Sequence, residues 1–135
     1  KEYKKSDKKK PKSNKNEYQF PDAKEIKEED YENYGFDQHD VLMVEENGDN
    51  KDYFLNIDNI FLKSYLKNSK DEEMLLVKKQ YKFAMTLIGL ILVKTRQDDS
   101  GNNGLSDQSL AEYTKNYTRT LAPIALPLIR DIPNI

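Results

Sequence analysis

The sequence predicts a mainly α protein of the α+β class, in which a bundle of three to four helices and one β-hairpin follow a disordered basic arm. Three observations support this fold class. Apolar residues are sparse before Val41 and dense after it, so the core belongs to residues 41–135. A long helical pattern covers residues 71–95. Asn47-Gly48 separates two short apolar runs, which is typical of a hairpin turn.

Residues 1–20 form the basic arm. They contain eight Lys and three acidic residues, a net charge of +5, whereas the rest of the chain carries −7. Their low complexity and lack of apolar periodicity predict disorder. Such an arm is either a solvated linker, which is the more common case, or a contact for nucleic acid or an acidic partner. The acidic body itself repels nucleic-acid phosphates.

Residues 21–40 form an acidic, Tyr-rich connecting segment. A short helix is predicted from Asp22 to about Tyr31, because Pro21 stands at its start and Gly35 can end it. With few aliphatic residues, this helix can bury little apolar surface.

Three aromatic residues of this segment, Tyr31, Tyr34 and Phe36, lie outside the obvious core and are candidate interaction residues. Two interpretations are open. The aromatics either fold back on the body, which is the more common arrangement, or form a docking strip for another domain, since aromatic side chains are enriched at interfaces.

Residues 41–135 form a helical domain that begins with the β-hairpin. Its strands are predicted at about 41–46 and 52–57, on either side of Asn47-Gly48, whose positive φ angles suit a tight turn. Because a lone hairpin is only marginally stable in water, this one must pack on helices or extend another sheet.

Three helices are predicted after the hairpin, each opened by a residue that can cap its N-terminus. Their bounds are Asp58 or Asn59 to about Leu66, residues 71–95, and Ser106 or Asp107 onward. The last helix carries one apolar stripe, made of Leu110, Tyr113, Tyr117 and Leu121. Pro123 and Pro127 are expected to kink or restart it, because proline lacks the backbone donor.

The second half of the central helix, Phe83–Val93, is apolar on nearly all sides, which predicts a helix enclosed by its neighbours. Gly89 lies in the middle of this run, where glycine costs about 1 kcal/mol relative to alanine. Close approach of another helix would compensate for that cost. Gly89 is therefore a fourth candidate interaction residue.

The residue types that carry catalysis or bind metals do not form any familiar pattern. The chain has no Cys, no G-x-S-x-G, no phosphate-binding glycine loop and a single histidine, His39. Residues 46–52 have oxygen ligands but not the spacing of a calcium loop. The sequence therefore predicts no catalytic residue, no cofactor and no metal site, and an unfamiliar enzyme site around His39 is the third-ranked alternative.

The longest apolar run, Phe83–Val93, is about half of the ~20 residues that cross a bilayer. No secretory signal is visible behind the Lys-rich start, and the lack of Cys fits a reducing compartment. We therefore expect a cytoplasmic protein that makes no membrane contact.

Three apolar strings resemble the tail region of large bacterial proteins that carry an ATP-binding domain of the histidine-kinase/gyrase (GHKL) type upstream. These strings are Leu55–Leu62, Tyr81–Leu92 and Tyr113–Ile129. The resemblance covers about residues 41–130 and implies a C-terminal, non-catalytic domain behind a Lys-rich linker. The nucleotide-binding residues of the upstream domain are not in this chain, so none is carried over.

The leading functional hypothesis is an accessory interaction domain of a larger bacterial protein, which mediates self-association or partner docking. Its candidate contact surfaces are Phe83–Val93 and Leu121–Ile129. The alternative is a nucleic-acid-associated module that uses the arm at residues 1–20 for a weak, salt-sensitive contact.

Overall fold

The computed structural model describes residues 20–99 and 108–131, and side chains over 20–97 and 108–129. The fold is α+β and mainly helical. The strands are β1 (Lys24–Ile26), β2 (Leu42–Asn47) and β3 (Asn50–Asn56). The helices are α1 (Tyr31–Tyr34), α2 (Ile60–Leu66), α3 (Asp71–Asp99) and α4 (Leu110–Asp131), and a 3₁₀ turn at Glu28–Asp30 precedes α1.

The predicted hairpin is present, but the sheet has a third strand. Strands β2 and β3 pair antiparallel around a turn in which Gly48 has a φ of 65°. Strand β1 then pairs parallel with the other edge of β3, in the order β1-β3-β2. The predictions of a single hairpin and of a helix beginning at Asp22 were therefore wrong. The segment is extended instead, and its pairing with β3 buries Ile26 completely. Gly35 does end α1, in the left-handed conformation.

Helix α3 packs on one face of the sheet, and α2 and α4 complete the main core with them. Alternate residues of β2 and β3 point toward them, among them Leu42, Val44, Tyr53 and Leu55. Gly89 of α3 lies against this face, where an added Cβ would collide with Leu42 Cδ2 and lie 3.4 Å from Tyr53 Cε2. The expected close approach is therefore to the hairpin and not to another helix.

The opposite face of the sheet is covered by the connecting segment. Phe36 is buried with Ile26 and Met43, and Tyr31 and Tyr34 pack beside them. The Tyr34 ring lies 5.1 Å from that of Phe54, between centroids. The three aromatic candidates thus fold back on the body, as in the first of the two interpretations.

Helix α4 lies along the free edge of β2. The backbone N–H groups of Leu42 and Val44 donate to the hydroxyls of Thr118 (3.1 Å) and Thr114 (2.9 Å), both fully buried. An edge strand normally presents bare backbone groups that other chains can pair with. Here the four-residue spacing of two threonines places both hydroxyls on one side of the helix, in register with the edge.

The buried side of α4 therefore differs from the predicted stripe. It consists of Leu110, Thr114, Thr118, Ala122, Leu126 and Ile129. Tyr117 of the predicted stripe is half-exposed instead, because the threonines occupy the side that meets β2.

The ends and interior of α4 also differ from expectation. The helix begins at Leu110, with the Ser109 hydroxyl accepting from Glu112 N–H, whereas the predicted starts at Ser106 and Asp107 lie outside the described residues. It runs through Pro123 and Pro127 as one helix. Both prolines lie on its exposed side, where water can bind the carbonyls that lack an intrahelical donor.

Candidate functional site

Three surface features of the described residues are candidates for a functional site. The first is a cleft of about 450 Å³ between residues 35–40 and α4. The second is an apolar groove of about 460 Å³ between α2 and α4, with His39 at its side. The third is an exposed apolar side of α3.

The cleft contains a buried carboxylate with two basic partners. Asp40 is 2% exposed, and its Oδ1 lies 2.7 Å from Arg119 Nη2 while its Oδ2 lies 3.6 Å from Lys115 Nζ. Lys115 Nζ also donates to the carbonyl of Gly35 at 2.8 Å, and Arg119 lies 3.5 Å from Asp37. Both cations thus interact with groups of the connecting segment. This arrangement attaches the segment to α4 and leaves little positive charge for an anionic ligand.

His39 lies next to the apolar groove, but its surroundings do not resemble a catalytic site. Its ring packs edge-on against Phe61, with 6.2 Å between centroids, and its Nδ1 lies 3.9 Å from Asp37 Oδ1. Its backbone N–H donates to the same carboxylate, as in an ordinary Asx turn. Among residues 20–97 and 108–129, no group of three or more His, Asp or Glu could hold a metal ion.

Buried tyrosines account for the perturbed ionisations near the core. Tyr81 is fully buried and donates to the carbonyl of Asn56 at 3.2 Å, and Asn59 Nδ2 donates to its hydroxyl oxygen. Burial raises the pKa of Tyr81 far above its usual value of 10. This group stays protonated and joins α3 to the end of β3, so its role is structural.

The exposed side of α3 is the strongest of the three candidates. Leu76, Phe83, Leu87 and Ile91 are between 38% and 57% exposed. Their spacings of seven, four and four residues place them on one side of the helix. We call these four residues the α3 stripe. Within the described residues, the Phe20 ring stacks on Phe83 at 4.9 Å and adds to this surface.

The α3 stripe contradicts the prediction that Phe83–Val93 is enclosed on all sides. The sheet and α4 cover the side of α3 that carries Tyr81, Met85, Gly89 and Val93. Among the described residues, the sheet and one neighbouring helix leave the far side of α3 uncovered except at Phe83, which Phe20 contacts. The spacing of Leu76, Phe83 and Leu87 was the available signal for this surface, and the apolar residues on all sides of the helix obscured it.

Helix α4 also exposes apolar side chains, at Tyr117, Ile124 and Leu128. Both segments that the sequence suggests as contact surfaces, Phe83–Val93 and Leu121–Ile129, thus carry exposed apolar side chains, and their role in association stays a prediction. The four candidate interaction residues of the sequence are not part of these exposed surfaces. Phe36 and Gly89 are buried, and Tyr31 and Tyr34 are half-buried on the face of the sheet opposite α3.

Comparison of the chain with protein-family models, with curated proteins and with solved structures gives no match. Within the part of the chain that the structure describes, no helix combines the length and the apolar character needed to cross a membrane.

Proposed function

We propose that this chain is a non-catalytic association domain of a larger protein, and that it self-associates through the α3 stripe. The observation that carries this proposal is the exposure of four large apolar side chains on one side of a single helix. Monomeric proteins rarely expose large contiguous apolar patches. Removing such surface from water contributes about 25 cal/mol per Å², which favours pairing of two such helices.

The polar surface features offer weaker support for a binding function than the α3 stripe does. In the cleft at Asp40 the basic side chains are engaged by the protein's own acidic groups. The nucleic-acid alternative depends on residues 1–20, which lie outside the described residues except for Phe20, so it stays a prediction from charge.

The test is the solution mass of the full chain, measured by light scattering over a concentration series. The double variant Leu87→Lys/Ile91→Lys places two charges on the stripe and should reduce the wild-type assembly to a monomer. Its circular dichroism spectrum should remain that of the wild type, because both side chains are partly exposed and the fold of the monomer does not depend on them.

Leu75→Lys is the matched control. Leu75 lies on the same helix and is 61% exposed, but it lies about 100° around the helix from Leu76. This variant should assemble like the wild type. A wild type that is monomeric at every concentration, or an assembly that survives the double variant, would refute the proposal. Loss of assembly on Ile124→Lys/Leu128→Lys alone would move the interface to α4.

A further inference from the structure

We propose that two copies of this chain pair with their α3 helices antiparallel, across a two-fold axis between Phe83 and Leu87. This inference rests on the proposed self-association and adds the orientation of the partner. It is carried by the distribution of charge at the two ends of the α3 stripe.

Three residues of the stripe, Leu76, Phe83 and Leu87, are part of a seven-residue repeat. Glu73, Gln80, Leu87 and Lys94 follow one another at intervals of seven. Leu76, Phe83 and Leu90 lie three residues after the first three of these positions. Alternating spacings of three and four are those of helices that pack side by side along a seam. The centre of this seam is apolar, and its two ends are charged.

The charges at the two ends have opposite signs. Glu72 and Glu73 lie in the first turn of α3 and are exposed. Lys94 is also exposed. It lies on the same side of the helix, about four turns beyond Gln80. In an antiparallel pair each Glu73 lies within about one turn of the partner's Lys94, and the helix dipoles also oppose one another.

A parallel pair would have the reverse effect. It would bring Glu73 next to its own counterpart and Lys94 next to its own counterpart, and like charges across an interface are unfavourable. Lys79, on the flank of the seam, would also meet its counterpart. In the antiparallel pair the two Lys79 residues are about 18 Å apart along the axis, from the rise of 1.5 Å per residue.

Phe20 and Phe83 supply the centre of the proposed interface. Their rings stack at an interplanar angle of 19°, and both remain partly exposed. Because Phe83 lies beside the proposed axis, the stacked pairs of the two copies would meet there. Aromatic side chains at the centre of an interface commonly carry a large part of the binding energy.

Charge reversal tests the orientation. Glu73→Lys and Lys94→Glu should each weaken the dimer by about threefold to tenfold, since two exposed ion pairs are replaced by like charges. The combined variant Glu73→Lys/Lys94→Glu should restore wild-type affinity, because the opposite charges meet again. A parallel dimer would respond to none of these changes, because like charges meet in every variant.

Cross-linking provides a second measurement that does not depend on affinity. The chain has no Cys, so Glu73→Cys and Lys94→Cys each introduce a single thiol. A short bismaleimide should link the two variants when they are mixed and should link neither to itself. Along the axis of the antiparallel pair, two copies of position 73 are about 36 Å apart and two copies of position 94 are about 27 Å apart, so a short cross-linker reaches neither.

The two proposals fail in different ways. A dimer that resists charge reversal, or that cross-links like positions, overturns the antiparallel arrangement and leaves self-association intact. A chain that is monomeric throughout overturns both.

Discussion

Replacing Thr118 by Val tests whether α4 closes the edge of the sheet through its hydroxyls. Valine has nearly the same shape as threonine and a similar helix propensity, so packing and local structure should be preserved. The Thr118 hydroxyl accepts from Leu42 N–H at 3.1 Å and donates to the carbonyl of Thr114 at 2.8 Å. The substitution therefore removes the hydrogen-bond partner of a buried strand amide.

The expected cost follows from that amide. A buried donor without a partner costs about 1–3 kcal/mol, and Leu42 is fully buried, so water cannot easily replace the hydroxyl. The loss of the bond to Thr114 adds little, because that carbonyl keeps its intrahelical donor. We expect Thr118→Val to lower the free energy of unfolding by about 2 kcal/mol.

Urea denaturation followed by circular dichroism measures this change. Thr118→Ser keeps the hydroxyl and should lose less than the valine variant. Thr120→Val is the matched control, because Thr120 lies on the exposed side of the same helix and its hydroxyl donates within its own turn, to the carbonyl of Asn116. If Thr118→Val is as stable as Thr120→Val, the hydroxyls do not secure the sheet edge.

Two further predictions concern buried positions of α3, Tyr81 and Gly89. Tyr81→Phe removes the hydrogen bonds of the hydroxyl and should lower the free energy of unfolding by about 1 kcal/mol at pH 8. The difference in this free energy between the variant and the wild type should narrow above pH 10. Burial raises the pKa of Tyr81 in the folded state. Above pH 10 the hydroxyl ionises in the unfolded chain but stays protonated in the folded one. The free energy of unfolding of the wild type therefore keeps this contribution below pH 10 and falls by about 1.4 kcal/mol per pH unit above it. Equal pH dependence of urea unfolding in both proteins would contradict this. Gly89→Ala should lower the melting temperature despite the better helix propensity of alanine, because its methyl group meets the buried side chain of Leu42. Adding Leu42→Val should recover part of the loss, and purely additive effects would argue against the contact.

Local signals were sufficient for the elements that depend on neighbouring residues. The Asn47-Gly48 turn and the N-cap of α2 were both found, and the Asn59 side chain accepts from Leu62 N–H at 2.9 Å. These features depend on a few consecutive residues and on side-chain chemistry alone. Helix α3 was found for a similar reason, since its pattern extends over many turns.

The features that were missed depend on residues far apart in the sequence. Strand β1 is three residues long, and only its register with β3 makes Lys24–Ile26 extended. The burial of Thr114 and Thr118 depends on the strand edge about 70 residues earlier. The exposure of one side of α3 depends on how many other strands and helices pack against it. The local sequence of α3 does not determine how many there are.

The contact between Phe20 and Phe83 also determines where the basic arm joins the body. Phe20, the last residue of the arm, lies beside the middle of α3. In the antiparallel pair that we propose, the two Phe20 residues lie on either side of one axis, so the attachment points of two segments with a net charge of +5 each are close together. An anionic partner that engages one arm would then find the second at high effective concentration. Pairing of the bodies would thus make a weak, salt-sensitive contact bivalent.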